Sequence, residues 1–287
     1  MKRNNHLLRL VWPVLGLLST VSACKKSNSN SNPASTAPKV QLMSNGQFGN
    51  ILTDSGGRTL YFFSLDANGR SACSGSCVVA WPVFYAAAPT LSSGLNSSDF
   101  AAITRTDGTL QTTYKGWPLY YFSADSAAGS VKGDAIEDVW FVAKSDYSVM
   151  LASTQLVGKD GMNYIESGNK IVAGSGMTQY LTDPYGRTLY LFSHDSSLEN
   201  KFTASNFSNN SVWPIDTTGR ANSVPSILPT TQFANLAVYG MTQFACKGWP
   251  LYYFSGDSSV RGNTRGVSVP TPGVWPIVNT GTLNAPM

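Results

Sequence analysis

Histidine and glutamate are scarce in this chain of 287 residues. Beyond residue 23 the sequence holds one histidine, His194, and three glutamates, Glu137, Glu166 and Glu199. A histidine-rich zinc or copper site therefore cannot be built within one chain, and a Ser-His-Asp triad would have to use His194. A glycosidase carboxylate pair would depend mostly on aspartates. Whether the chain is an enzyme stays open; we favour a non-catalytic role, with a hydrolase using aspartates alone as the least favoured interpretation.

Charged residues are also few, at 13% of the chain, and the formal net charge is +4. Lys2, Arg3 and Arg9 lie in the first 23 residues, where no acid occurs, so 17 basic and 16 acidic residues remain beyond them. A nearly neutral chain has no electrostatic footprint for nucleic acid, which we exclude as a partner. The scarcity of suitable ligands also leads us to predict no metal site and no cofactor.

The first 23 residues have the pattern of a secretory signal. A basic start precedes an apolar stretch at residues 10–18, and Val21-Ser22-Ala23 stands before Cys24. The stretch is too short for a spanning helix, which needs roughly 20 apolar residues. A cysteine after Val-Ser-Ala resembles the bacterial lipobox, whose thiol receives a diacylglycerol before cleavage. We therefore predict cleavage before Cys24 and membrane lipid as a partner through the acylated Cys24, against the alternative of an ordinary signal peptide.

Residues 24–40 comprise the predicted lipidated cysteine and a Ser/Asn/Pro-rich tether with little to bury. Lys25 and Lys26 follow the cysteine. By resemblance to Gram-negative lipoproteins, the lack of aspartate at that point favours the outer membrane. The predicted location is therefore a lipid-anchored cell envelope, with the periplasmic and surface faces both left open.

Four segments of the remaining chain repeat one pattern, Gly-x-x-Leu-Tyr-x-Phe-Ser-x-Asp, and each is followed further on by a tryptophan. The motif tyrosine and aspartate of each copy are Tyr61 and Asp66, Tyr120 and Asp125, Tyr190 and Asp195, and Tyr252 and Asp257. The first and third copies share Gly-Arg-Thr, and the second and fourth share Lys-Gly-Trp-Pro. This A-B-A-B order indicates that a two-repeat unit was duplicated whole.

The repeats have the local signals of strands and turns, and no stretch of useful length has helical periodicity. Apolar residues on both faces of the motif strand, residues 60–63, indicate a central strand covered on each side. We predict an all-β, antiparallel fold in which residues 41–150 and 151–287 form two tandem small β domains of two repeats each. The alternative is a single four-bladed, propeller-like ring.

The motif Tyr-x-Phe-x-x-Asp resembles the signature Y-x-[FWY]-x-x-D of a family of secreted lipoprotein repeats. Further matches are Cys73 and Cys77 ahead of Trp81, and the segment Lys115–Tyr121. The resemblance covers nearly everything from about residue 52 to residue 278, although copies three and four lack the cysteine pair. That family has no known function, so the resemblance implies a location and an architecture but no reaction.

The four motif aspartates follow a strand, where a carboxylate can accept backbone N–H groups and fix the next turn. We favour this structural role. The alternative is a ligand or calcium site in each repeat, but calcium wants 6–8 oxygens and one carboxylate per repeat is a poor provision. We likewise favour the motif tyrosines as core that each repeat offers its neighbour, over stacking platforms for sugars.

Trp117 and Trp249 lie in turn-like Gly-Trp-Pro segments, so we predict them to be exposed aromatics. We predict that Cys73 and Cys77 form a disulfide, because the chain leaves the cytoplasm. A redox or thiolate–metal site is the alternative for this pair. Cys246 is the odd thiol and is predicted to be buried.

These observations predict a non-catalytic binding or structural repeat module of the cell envelope. Its partners would be membrane lipid and an envelope glycan or protein. The alternative is a redox- or metal-linked envelope protein that uses Cys73 and Cys77. His194 is not predicted to be catalytic, because its position accepts leucine, alanine and glycine in the other copies and is expected to face solvent.

Overall fold

Residues 39–219 and 221–287 are described by a computed structural model. The predicted signal, Cys24 and most of the tether lie outside the described residues. In the described part of the chain one α-helix occurs, α1 at Cys77–Ala80, and no helix is long and apolar enough to cross a membrane. The fold is mostly β and consists of several small antiparallel sheets, which confirms that part of the fold prediction.

The strands are short and follow one another along the whole described chain. They are Lys39–Asn45 (β1), Gly49–Asp54 (β2), Tyr61–Phe63 (β3), Thr90–Leu91 (β4), Phe100–Thr104 (β5), Leu110–Tyr114 (β6), Trp117–Tyr120 (β7), Trp140–Val142 (β8), Met150–Thr154 (β9), Leu156–Val157 (β10), Asn163–Ser167 (β11), Lys170–Ala173 (β12), Thr178–Thr182 (β13), Phe233–Val238 (β14), Met241–Cys246 (β15) and Trp249–Pro250 (β16). Short 3₁₀ turns occupy Ser64–Asp66, Ser97–Asp99, Ile136–Asp138, Ser208–Ser211, Thr230–Gln232, Ser255–Asp257 and Arg265–Ser268.

These strands form five sheets among the described residues. The largest has the order β5-β6-β7-β3-β8, and the others are β2-β1-β4, β10-β11-β12, β13-β9 and β14-β15-β16. Every pairing between these strands is antiparallel except that of β1 with β4, which run parallel over two residues. The motif strand β3 lies between β7 and β8 and is buried on both faces, which confirms the prediction of a central strand.

The motif strands of two repeats pair with each other instead of forming one blade each. Strand β3 pairs with β7, which places Tyr61 opposite Tyr120. Tyr190 and Tyr252 form the equivalent antiparallel bridge further along the chain. The described residues contain no closed propeller, so the ring alternative is wrong. The reason is that a motif strand takes its backbone hydrogen bonds from the neighbouring repeat.

Residues 41–150 and 151–287, here called the first half and the second half, contribute to one hydrophobic core. One cluster of buried side chains contains Phe62 and Trp117 from the first half together with Leu189 and Trp275 from the second. The two halves are therefore packed against each other through apolar surface. Their division into two domains near residue 150 stays a prediction.

Arg261 of the second half inserts its side chain into the first half. Its Nε–H donates to the carbonyl of Ala67 at 2.8 Å, and its Nη1 donates to the carbonyl of Lys115 at 3.2 Å. The guanidinium lies 4.7 Å from the ring centroid of Trp117. Burial lowers the pKa of Arg261 to about 10, so the side chain keeps its charge at neutral pH. A Cβ on Gly116 would collide with this guanidinium.

Replacing Gly116 with alanine should therefore destabilise the chain more than the matched change at Gly108. Both glycines have φ near +80°, so each substitution costs about 1–2 kcal/mol for a left-handed alanine. Space around Gly108 is open, whereas Arg261 fills it at Gly116. We expect Gly116→Ala to cost about 1–3 kcal/mol more in urea unfolding. In an Arg261→Ala background the two variants should become equal, and a difference that persists there would contradict this explanation.

Candidate functional site

The four motif tyrosines donate their hydroxyl protons to the motif aspartates, each to the aspartate of the other repeat in its half. The oxygen–oxygen distances are 2.6 Å for Tyr61 to Asp125, 2.6 Å for Tyr120 to Asp66, 2.7 Å for Tyr190 to Asp257 and 2.7 Å for Tyr252 to Asp195. In all four bonds the acceptor is Oδ2. Each pair of repeats is therefore joined by two reciprocal hydrogen bonds.

The second oxygen of each motif carboxylate accepts a backbone N–H from the loop that follows its own strand. The Oδ1 acceptors and their donors are Asp66 with Ala72, Asp125 with Lys132, Asp195 with Lys201, and Asp257 with Arg265, at 2.7 to 3.0 Å. Each carboxylate thus fixes the turn after its own strand and binds the strand of the neighbouring repeat.

Three of these carboxylates are removed from water. Asp66, Asp195 and Asp257 are at most 5% exposed, and burial raises their pKa values to about 7, about 6 and about 7. The hydrogen bonds from tyrosine and backbone act in the opposite direction but do not outweigh burial. Burial and the neighbouring carboxylate also raise the pKa of each motif tyrosine, so these hydroxyls stay protonated donors.

Two tryptophans stack face to face beside each tyrosine pair. The ring centroids are 3.8 Å apart for Trp81 and Trp140, and also 3.8 Å apart for Trp213 and Trp275. Tyr61 meets Trp81 edge-on at 5.5 Å, and the equivalent rings of the second half have the same distance. Both halves bury the same aromatic arrangement, so these tyrosines and tryptophans do not offer faces to a ligand.

Cys73 and Cys77 form a disulfide with Cα atoms 5.4 Å apart, as predicted, and Cys246 is a buried free thiol. The carbonyl of Cys73 accepts a hydrogen bond from Nη2 of Arg105 at 2.6 Å. A redox role for this pair stays the alternative to a structural one. Among the described residues, no group of three or more His, Cys, Asp and Glu side chains could hold a metal ion.

The loop before the disulfide contacts the buried Tyr120–Asp66 pair. The hydroxyl of Ser71 lies 2.6 Å from that of Tyr120, and the Nη1 of Arg105 donates to Ser71. The same Nη1 donates to Gln111 at 2.8 Å, so the buried guanidinium is surrounded by acceptors. The segment from Ser71 to Cys73 therefore contributes hydrogen-bond partners to the polar interior of the first half.

The prediction that Trp117 is exposed is wrong, because a turn of the second half covers this side chain. Trp117 is 1% exposed, and its Nε1–H donates to the carbonyl of Pro184 at 3.0 Å. The equivalent Trp249 is only half-buried, and its Nε1–H donates to the carbonyl of Leu283 at 2.8 Å. His194 is exposed, as its variable position predicted.

Trp249 forms part of the wall of an open groove with a volume of about 220 Å³. Glu166 and Asn169 reach this groove from β11 and the turn that follows it. Further lining residues are Ile171, Leu191, Asn279 and Thr282. A half-exposed indole among apolar walls and amide, hydroxyl and carboxylate groups suits a flat amphipathic ligand. Sequence analysis singled out Trp249 but missed its groove partners, which are distant in sequence and belong to no motif.

A second tyrosine–aspartate contact in each half was also missed. Tyr121 donates to Asp54 at 2.9 Å, and Tyr253 donates to Asp216 at 3.2 Å. Arg58 covers the ring of Tyr121 at 3.8 Å, and an arginine covers that of Tyr253 in the same way. The shared Gly-Arg-Thr and Tyr-Tyr segments were the available signal, because they place an arginine and a second tyrosine in alternate copies.

The buried aspartates predict that stability falls as pH rises. Their folded-state pKa values of about 6 to 7 lie above the unfolded value near 4, so the folded state binds protons more tightly. Their contribution is complete below about pH 4 and is lost as pH rises through 6 to 7. We expect the thermal midpoint to be about 5 °C or more higher at pH 5 than at pH 8, since about 1 kcal/mol shifts it by about 2–4 °C.

Combining Asp66→Asn with Asp257→Asn should flatten this dependence, because an amide cannot ionise. Asp138→Asn is the matched control, since Asp138 is exposed, and it should leave the slope unchanged. A thermal midpoint that is constant or rising between pH 5 and pH 8 would refute the assignment.

Comparison with known proteins identifies the repeat. Residues 43–85 and residues 101–144 each match the model of a family described as a secreted repeat of unknown function. No curated protein and no solved structure matches the chain. The matched segments contain the motif strands of the first and second copies, including Tyr61 and Tyr120. The chain therefore contains two copies of this secreted repeat.

Proposed function

We propose that this chain is a non-catalytic binding module of the cell envelope, held to the outer membrane by lipid on Cys24. The signal-like residues 1–23 and the cysteine after Val-Ser-Ala support the anchor. The match to a secreted repeat supports export from the cytoplasm. Two or more acyl chains would make such an anchor stable, because each buried methylene contributes about 0.8 kcal/mol.

The body of the module consists of two repeat pairs in the order A-B-A-B. Reciprocal tyrosine–aspartate bonds within each half support this pairing, as does the equal stacking of the two tryptophan pairs. A single repeat would leave a buried hydroxyl and a buried carboxylate without partners, which is costly. The pair is accordingly the smallest unit in which every motif tyrosine and every motif aspartate has its partner.

The absence of a catalytic role is supported by how the motif side chains are used. All four motif carboxylates accept from both a tyrosine and a backbone N–H. A general acid or base must instead reach a substrate proton. No observation favours a redox role for Cys73 and Cys77, so that alternative is not proposed.

The groove at Trp249 is the observation on which binding rests, and the ligand we propose is an envelope glycan. One face of a pyranose ring is apolar and can pack on an indole. Its hydroxyl groups would find acceptors and donors in Glu166, Asn169 and Asn279 along the same groove. The remaining apolar lining excludes water around the sugar face, as small-ligand sites commonly do.

Substituting Trp249 with alanine should abolish most of the glycan affinity while leaving the fold intact. The probe is a set of soluble peptidoglycan fragments titrated into the protein by calorimetry. We expect at least a tenfold loss of affinity for Trp249→Ala, equivalent to about 1.4 kcal/mol. Tyr239→Ala is the matched control, because Tyr239 is an exposed aromatic outside the groove, and it should bind like the parent. Absence of binding by the parent chain, or equal binding by Trp249→Ala, would overturn the proposal.

A further inference from the structure

We call the last nine residues, 279–287, the C-terminal strap. The strap contacts the rest of the second half at positions equivalent to those where the second half contacts the first. In the first half, the indole N–H of Trp117 donates to a carbonyl of the second half, that of Pro184. In the second half, the indole N–H of Trp249 donates to a carbonyl of the strap, that of Leu283. Trp117 and Trp249 occupy the same motif position. The equivalent indole N–H therefore donates to the second half in one case and to the strap in the other.

The backbone carbonyl two residues before each tryptophan also has a partner from the second half in one case and from the strap in the other. The carbonyl of Lys115 accepts from Nη1 of Arg261 at 3.2 Å. The equivalent carbonyl of Lys247 accepts from the backbone N–H of Ala285, in the strap, at 2.9 Å. Lys115 and Lys247 have nearly equal positive φ values, 49° and 51°, so the two acceptors are presented by the same turn.

The loop after the first motif aspartate of each half completes this receiving face. Ala67 accepts from Nε of Arg261 in the first half. In the second half the N–H of Ser197, in the equivalent loop, donates to the carbonyl of Pro286 at 2.7 Å. Leu283, Ala285 and Pro286 of the strap therefore contact a face that elsewhere in this chain receives a whole repeat pair.

The strap covers this face less fully than the second half covers its counterpart. Trp117 is buried, whereas Trp249 stays half-exposed beside the groove. Leu283 of the strap is itself 65% exposed. In repeat proteins the outer face of a unit is covered either by a further unit or by a cap. A head-to-tail contact of this kind joins two different faces, so it can extend from copy to copy.

The first half has the loops equivalent to those through which the second half docks. The N–H of Gly262 donates to Gly186 at 2.9 Å, and the N–H of Gly129 donates to Gly57 at 2.8 Å, so these two loops are equivalent. Ala128 therefore stands where Arg261 stands in the second half. Ala128 is exposed, and its small side chain cannot make the guanidinium contacts.

We propose that the C-terminal strap is a built-in cap, and that the face beneath it accepts the first half of a second copy of this chain, head to tail. The inference rests on the paired arrangement proposed above but not on glycan binding at the groove. With the strap in place the chain stays monomeric. Without it, Lys247 and Trp249 offer the same acceptor and donor that join the two halves internally.

The test removes residues 283–287 from the full chain carrying Cys24→Ser, which cannot be acylated. Removal of Met287 alone is the matched control, because Met287 makes none of the strap contacts above. Mass is measured by analytical ultracentrifugation from about 1 to 100 μM. We expect concentration-dependent association of the five-residue truncation and a monomeric control. A folded truncation that stays monomeric throughout would overturn the proposal.

Exposure of an indole can also cause unspecific association. Substitutions at Ala128 distinguish unspecific association from head-to-tail association. In the truncated chain Ala128→Arg introduces a guanidinium at the position equivalent to Arg261, and it should strengthen association at least tenfold. Ala128→Asp brings a carboxylate towards backbone carbonyls, and it should weaken association at least tenfold. Equal association of the two variants would refute the head-to-tail geometry. Both changes lie outside the groove, so their outcome is independent of glycan affinity.

A point variant covers the case in which truncation prevents folding. Ala285→Asp in the full-length chain places a carboxylate beside the carbonyl of Lys247 and weakens the strap without removing it. It should associate detectably at 100 μM, and a further Ala128→Arg change should strengthen that association. A folded Ala285→Asp, Ala128→Arg chain that remains monomeric at 100 μM would overturn the proposal.

Discussion

The hydrogen bond between a tyrosine hydroxyl and the carboxylate of a neighbouring repeat is the interaction on which the rest of this structure depends. It occurs four times, at 2.6 or 2.7 Å, and always crosses from one repeat to another in the same half. Burial makes each such bond consequential, since a lost partner leaves a polar group in the interior. The motif is thus explained by the pairing of repeats, in which each aspartate accepts the hydroxyl proton of the neighbouring repeat's tyrosine.

Sequence analysis could predict the repeats, the β class and the central motif strand, because these depend on local pattern. It expected each aspartate to fix its own turn, and Oδ1 of Asp66 is placed for that. It could not see that Oδ2 reaches Tyr120, because partner choice depends on how two strands pair in space. Trp117 was misjudged for the same reason: its turn is locally exposed, and the cover comes from Pro184 of the other half.

The two halves differ at the positions through which a half contacts its neighbour. Arg261 contacts the other half, whereas its equivalent Ala128 is exposed. Trp117 is buried beneath the second half, whereas the equivalent Trp249 is half-exposed beneath the strap. Repetition supplies the scaffold, and residues outside the repeat motif, among them Glu166 and Asn169, line the groove beside Trp249.

A double-mutant cycle in urea tests the central claim most directly. It combines Tyr120→Phe with Asp66→Asn, and compares this pair with Tyr61→Phe and the same Asp66→Asn change. Pairing between repeats predicts a coupling free energy of about 1–3 kcal/mol for Tyr120 with Asp66, and a value within about 0.5 kcal/mol of zero for Tyr61 with Asp66. Strong coupling within one repeat, with none between Tyr120 and Asp66, would contradict the account.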